Sequence, residues 1–202
     1  MGRHLRHRPV DDIAIHHISH AIRREGNRRR PADRRGRGRG HQGAIALVDG
    51  TLWPCWSWDG ESKLWSGKYK TTGHGSLIVA NLQGRITFVS EPVTGNQHDM
   101  AKLKGPDVEK VLKTVGGVFG DKGFIGTDYI TTPIRKPECR QLLQWEHQWN
   151  NQVSSFRAPV ERAVATLKTW RILFTDYRRP LKTFKSSFTA SIGLYFFKER
   201  FA

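Results

Sequence analysis

The stretch VGGVFGDKGF, residues 115–124, sets three apolar side chains, Val115, Val118 and Phe119, among glycines and then ends on Asp121 and Lys122. So short and glycine-rich a run reads as a buried strand emerging into a turn. Asp is common at such junctions because its side chain accepts hydrogen bonds from nearby backbone N–H groups. Asp121 alone therefore argues little, and its neighbours along the chain decide what it is.

Upstream, AIALVDGT (44–51) is a second apolar run, read as a strand ending in Asp49 and a glycine turn. GSLIVANLQGRITFVSEPV (75–93) reads as two β-rich runs split by the LQGR turn, which is a hairpin signature. NQHDMAKLK (96–104) and PDVEKVLKTV (106–115) have helical character. Downstream, DYITTPI (128–134) predicts a short further strand, and ECRQLLQWEHQWNNQVSSF (138–156) predicts a helix. In RAPVERAVATLKTW (157–170), Val160, Ala163, Val164, Leu167 and Trp170 form a helical stripe, with Pro159 in the position of a first-turn proline. The order strand, hairpin, helix, strand, helix, helix, without an internal repeat, predicts an α/β domain.

The 202 residues are 37% apolar, enough for one domain with a core and an appendage. Residues 1–42 are that appendage: they hold twelve Arg, no Lys, six His and four acids, and carry +8 of the formal +16. Such a composition buries too little apolar surface to order itself and predicts a disordered basic arm, leaving 43–202 as the folded domain. The excess of 34 Lys and Arg over 18 Asp and Glu points to a polyanionic partner. Two cysteines, Cys55 and Cys139, are too few for a disulfide framework or a thiolate zinc site and fit reduced thiols in a cytoplasmic protein. No apolar run approaches the roughly 18 residues of a membrane span.

Asp49 and Asp121 sit where strands leave a sheet, the place where α/β folds gather ligands. Glu161 lies one turn into the striped helix, on a row that flanks the apolar stripe. Phosphodiester chemistry would give three such acids one purpose, since two Mg²⁺ ions about 4 Å apart need converging oxygen ligands. Each acid also has an ordinary structural reading, as a turn residue or as a first-turn helix acid.

VDGT (48–51), SGKYKTTGHGSLIVANLQGRITFVSEPVTGNQHDM (66–100), GDKGF (120–124) with TPIRKP (132–137), and RAPVERAVATLKTWRIL (157–173) together resemble the catalytic domain of bacterial DDE transposases of the IS-five type, related to the Harbinger elements of eukaryotes. The resemblance runs from about residue 44 to the C-terminus. It implies an RNase H-like fold, a mixed five-stranded sheet flanked by helices, with Asp49, Asp121 and Glu161 as catalytic residues and ligands of two Mg²⁺ or Mn²⁺ ions. The activity implied is metal-dependent cleavage of double-stranded DNA at terminal inverted repeats and transfer of the freed 3′-OH to target DNA, in a homo-oligomer that synapses two ends at the bacterial nucleoid. The family's N-terminal helix-turn-helix has no counterpart in residues 1–42, so the expectation is a truncated copy that keeps the catalytic domain.

Lys68, Lys70, Lys122, Arg157, Arg162, Lys168 and Arg171 surround these motifs as candidate phosphate contacts. His98 and Asp99 match the family motif and are candidates for a supporting role at the metal site. The competing expectation is a helix cap formed by Asn96 and Asp99. Trp53, Trp56, Trp58 and Trp65 cluster in one expected loop, able to pack over the sheet or to stack on unpaired bases. Two rivals stand beside the enzyme: a non-catalytic DNA-binding remnant, and a basic RNA-binding protein that predicts no convergent acids.

Overall fold

β1 (Ile45–Pro54) buries Ile45, Ala46, Leu47 and Val48 in succession, as a strand covered on both faces must. A computed structural model describes residues 44–56 and 60–201, so the expectations for residues 1–42 and for Trp58 lie outside the described residues. β3 (Thr71–Asn81) runs antiparallel to β1 over nearly its whole length, from Ala46 opposite Asn81 to Pro54 opposite Gly73. That long partner carries β1 past Asp49, which lies in mid-strand rather than at the strand end expected from the Asp-Gly pair.

β3 turns into β4 (Ile86–Val89) through the expected hairpin, with Gly84 at φ +80°. There the Asn81 carboxamide oxygen accepts the N–H groups of Gln83 and Arg85 at 3.1 and 2.9 Å. On the other side of β1, β6 (Gly117–Phe119) pairs in parallel, with Leu47 opposite Phe119. β7 (Ile130–Thr131) is parallel to β6 in turn. The path β4-β3-β1-β6-β7 is the expected mixed five-stranded sheet, and β2 (Trp65–Ser66) and β5 (Val93–Thr94) add two short strands that pair with β3.

Helices cover both faces. α1 (Asp99–Leu103) and α2 (Pro106–Lys113) pack Leu103, Val108 and Leu112 against Ala46, Val48, Leu77, Val79 and Val118. Side chains alternate along a strand, so Leu47, Asp49 and Phe119 face the opposite layer. There α3 (Gln144–Leu167) buries Val153, Val160, Ala163 and Leu167, and its Phe156 ring lies 5.6 Å from that of Phe119. α4 (Arg171–Phe174) follows, and α5 (Phe184–Phe201) packs Phe188 5.5 Å from Trp53 and Phe184 4.1 Å from His74. Trp53 is thus a core residue of β1, its indole N–H bonded to Ser76 at 3.0 Å, and Trp65 opens β2. The tryptophans do not share one loop.

The two helices expected over 138–170 are one. Pro159 lies inside α3, where it removes a backbone hydrogen bond at a cost of about 3 kcal/mol. Burial of Val153, Val160, Ala163 and Leu167 on either side of it offsets that loss. The true start is fixed by Glu146, which accepts the Leu143 N–H at 2.7 Å and both Arg140 guanidinium nitrogens at 2.6 and 2.7 Å. Asn150 then pins the stretch after β7, exchanging two hydrogen bonds with the Ile134 backbone. Among the described residues no helix is long and apolar enough to cross a membrane.

The Arg140 hydrogen bonds, helped by the Leu143 N–H, hold the Glu146 carboxyl at about 2, down from 4.5. A depressed carboxyl contributes stability that is complete above its unfolded value and lost as pH falls through 4.5 towards 2. Glu146→Gln is expected to lower stability at pH 7 and to flatten the acid limb in that window. Urea midpoints measured from pH 7 to pH 2.5 check both effects, and an unchanged acid limb contradicts the assignment.

Candidate active site

Two residues past the last paired residues, Leu47 opposite Phe119, stand Asp49 on β1 and Asp121 just beyond β6, near enough for the Asp121 charge to act on Asp49. β6 ends at Phe119, so Asp49 loses its neighbouring strand at the point where Asp121 enters a 3-10 turn. The Asp121 side chain caps that turn, accepting the Gly123 N–H at 2.7 Å. Asp121 is therefore a turn residue and a neighbour of Asp49 at once. Burial raises the Asp49 carboxyl, the Asp121 charge raises it further, and Arg157 opposes both.

Asp99 arrives from the α1 side. A side chain at Gly50 would overlap its carboxylate, and a Cβ at Gly75 on β3 would lie 2.7 Å from Lys102 Nζ. The two glycines leave room for a buried ion pair, Lys102 Nζ donating to Asp99 Oδ1 at 2.8 Å. Asp99 also accepts from Lys68 at 3.0 Å, and Lys68 stands 3.9 Å from Asp121. Burial alone would raise the Asp99 carboxyl; the Lys102 and Lys68 hydrogen bonds outweigh it and hold it below the usual carboxylate range. Tyr69 fixes the approach of Lys68 by donating from its hydroxyl to the Gly50 carbonyl at 2.8 Å. The expected cap is absent: His98 occupies the N-cap of α1 without a side-chain bond, and Asn96 accepts from Thr94 instead.

From α3, Arg157 donates to Asp49 over 3.4 Å, and its Nε is buried without a partner among the described residues. Lys168 is near enough for the Asp49 charge to act on it, although burial lowers its ammonium. At 100° per residue, Arg157, Glu161 and Lys168 fall within about 40° of one another around the helix. Glu161 therefore shares the face that meets Asp49; it is exposed and, among the described residues, makes no hydrogen bond or ion pair. No three His, Cys, Asp or Glu side chains among the described residues are gathered closely enough to hold a metal ion.

Of the expected cations, Lys68 and Arg157 thus touch carboxylates and Lys168 is half-buried beside them. Lys70, Lys122, Arg162 and Arg171 are exposed. Sequence reasoning missed Lys102, whose signals are its i+3 spacing from Asp99 and the two glycines inside strands.

Residues 48–195 match a family described as DDE superfamily endonuclease. The chain is 28% identical over 130 residues to a protein of Streptomyces albus G named as transposase for insertion sequence element IS112, covering 64% of this chain and 49% of that protein. It is 29% identical over 142 residues to one of Microchaete diplosiphon named as transposase for insertion sequence element IS702, covering 67% and 50%. The chain thus spans about half the length of the curated relatives it matches. No solved structure matches it significantly.

Removing one partner of a buried ion pair leaves an uncompensated charge, whereas removing both leaves none. Lys102→Ala is expected to cost about 3 kcal/mol, and Asp99→Asn combined with Lys102→Met to recover most of it. Urea denaturation of the single and double variants checks the coupling; additive losses contradict it.

Proposed function

The chain belongs to the DDE superfamily endonucleases, and from that premise we propose that it cleaves DNA and transfers strands at the ends of an insertion element of the IS-five and Harbinger type. The observation that carries the reading is the proximity of two carboxylates, Asp49 on β1 and Asp121 just beyond the end of the adjacent β6, the first raised by its burial and by the other's charge. The proximity of Asp121 to Asp49 also argues against the RNA-binding rival.

The donor set suits Mg²⁺ or Mn²⁺, since hard cations take carboxylate oxygens and offset the repulsion that Asp49 feels. Asp49 and Asp121 would hold the ions, with Glu161 completing the set from α3. Two bound ions would supply activation of the attacking hydroxyl and stabilisation of the leaving 3′ oxygen. Arg157 and Lys68 are the cations that must let go of these carboxylates: Arg157 has a long contact and an unpartnered Nε, and the Lys68 side chain is 52% exposed. Released, both reach towards a phosphodiester at the same place. Lys102, buried with Asp99, stays and keeps that carboxylate occupied; Asp99 thus positions Lys68. Double-stranded DNA with terminal inverted repeats is the substrate, and a homo-oligomer pairs the two ends. Residues 1–42, with +8 of the formal charge, would add non-specific attraction to DNA.

Nicking of supercoiled plasmid in Mn²⁺ tests the enzyme. Asp49→Asn, Asp121→Asn and Glu161→Gln are each expected to lower the rate by at least about 100-fold, the upper range seen for losing a ligand's supporting partner. Lys68→Met is expected to tighten Mn²⁺ binding several-fold by calorimetry while weakening DNA binding. Plasmid binding without nicking in the unaltered chain establishes the non-catalytic remnant instead. Equal nicking by all variants marks a contaminant.

A further inference from the structure

β1 does not end at a free loop. After Pro54 the Cys55 N–H bonds to Thr72, the Trp56 N–H bonds to the Tyr177 carbonyl at 3.1 Å, and the Tyr177 N–H bonds back to Pro54 at 3.0 Å. Cys55 and Tyr177 form a parallel bridge. The segment after α4 is thereby fastened to the strand that carries Asp49. Beside it opens a cavity of about 600 Å³ lined by Arg171, Phe174, Thr175, Asp176 and Arg178. That volume falls within the range of about 300–1,000 Å³ of small-ligand sites.

The lining is unusual for a solvated corner. Phe174 in it is 63% exposed. The Arg178 guanidinium lies 4.2 Å from the Trp56 ring, a stacked cation and aromatic pair. Among the described residues neither Arg171 nor Arg178 makes an ion pair, although Asp176 lines the same cavity. Two unpaired guanidinium groups match phosphate oxygens. An open phenyl ring matches the face of a base, which a duplex keeps stacked and out of reach. A carboxylate repels a simple anion and accepts from the exocyclic amine of cytosine or adenine.

We propose that this cavity binds a single unpaired nucleotide of the DNA, the base stacked on Phe174 with its amine on Asp176 and the phosphates on Arg171 and Arg178. The site is separate from the carboxylates and rests on the reading that the chain acts on DNA.

Fluorescence anisotropy with the full chain in Ca²⁺ tests it without requiring turnover. The probes are a blunt duplex and the same duplex carrying a four-nucleotide, cytosine-rich single-stranded tail. The unaltered chain is expected to prefer the tailed duplex by about 10-fold, the scale of one base–aromatic stack. Phe174→Ala is expected to abolish that preference and leave blunt-duplex binding as it was. Arg171→Gln is expected to reduce the slope of log affinity against log salt by about one on the tailed probe. Phe174 is largely solvent-exposed, so its variant should match the unaltered chain in thermal melting, which is measured alongside. Equal affinity for both probes, or an equal effect of Phe174→Ala on both, overturns the proposal. Plasmid nicking by the unaltered chain separates the two readings: a tail preference without nicking supports this site and removes only the enzyme. Nicking without a tail preference removes this site and leaves the enzyme.

Discussion

The parallel pairing of β1 with β6 is three residue pairs long, yet the nearness of Asp121 to Asp49 hangs on it. A slip of one residue in a strand exchanges its two faces. Asp49 would then turn from α3 towards α1, into space filled by the Asp99–Lys102 ion pair. The register is held because both strands are buried on both sides: Ala46 and Val118 belong to the core under α1 and α2, while Leu47 and Phe119 lie under α3. The apolar packing on the two faces thus places two acids side by side, without any attraction between the acids themselves.

Asp49, Asp99 and Asp121 are each met by a cation, and the cations are of two kinds. Lys102 is buried to the same depth as Asp99, so its charge can leave only if that part of the structure opens. Lys68 and Arg157 are held less completely, one by exposure and the other by a 3.4 Å contact and an unsatisfied Nε. Burial dominates at Asp49, where the carboxyl is raised despite Arg157. At Asp99 two hydrogen-bonded ammonium groups reverse the sign. Asp99 is thus held down by two ammonium groups, whereas at Asp49 burial outweighs the one guanidinium that meets it.

Most strands were legible in the sequence because local signals suffice for them: the unbroken apolar run of β1, the Asn81–Arg85 turn, the short run 117–119. The mixed sheet flanked by helices followed from the family resemblance, whereas the order of its strands did not. The length of β1 was not legible, because an Asp-Gly pair reads as a turn unless the partner strand is known to continue. α3 was divided at Pro159 for the same reason, since the burial that compensates a lost hydrogen bond is tertiary. Asp121 and Asp49 could be named in advance, but Lys102 could not, as its role depends on two glycines being empty space rather than turn residues. For Glu161, helical arithmetic assigns a face without bringing the carboxylate into contact.

β1 also connects the acids to the cavity beyond its end. From Asp49 to Trp56 is seven residues of extended chain, about 23 Å at 3.3 Å per residue. Pairing with β3 from Ala46 to Pro54 makes that span stiff, and the Cys55–Tyr177 bridge carries the stiffness on to the segment that bears Arg178. A DNA strand advances about 3.4 Å per nucleotide, so the same span corresponds to about seven nucleotides. A strand held at both places would have its unpaired nucleotide at a fixed distance from the phosphodiester beside Asp49 and Asp121. Because both places are attached to one paired strand, gripping the unpaired nucleotide would set which phosphodiester lies at the carboxylates.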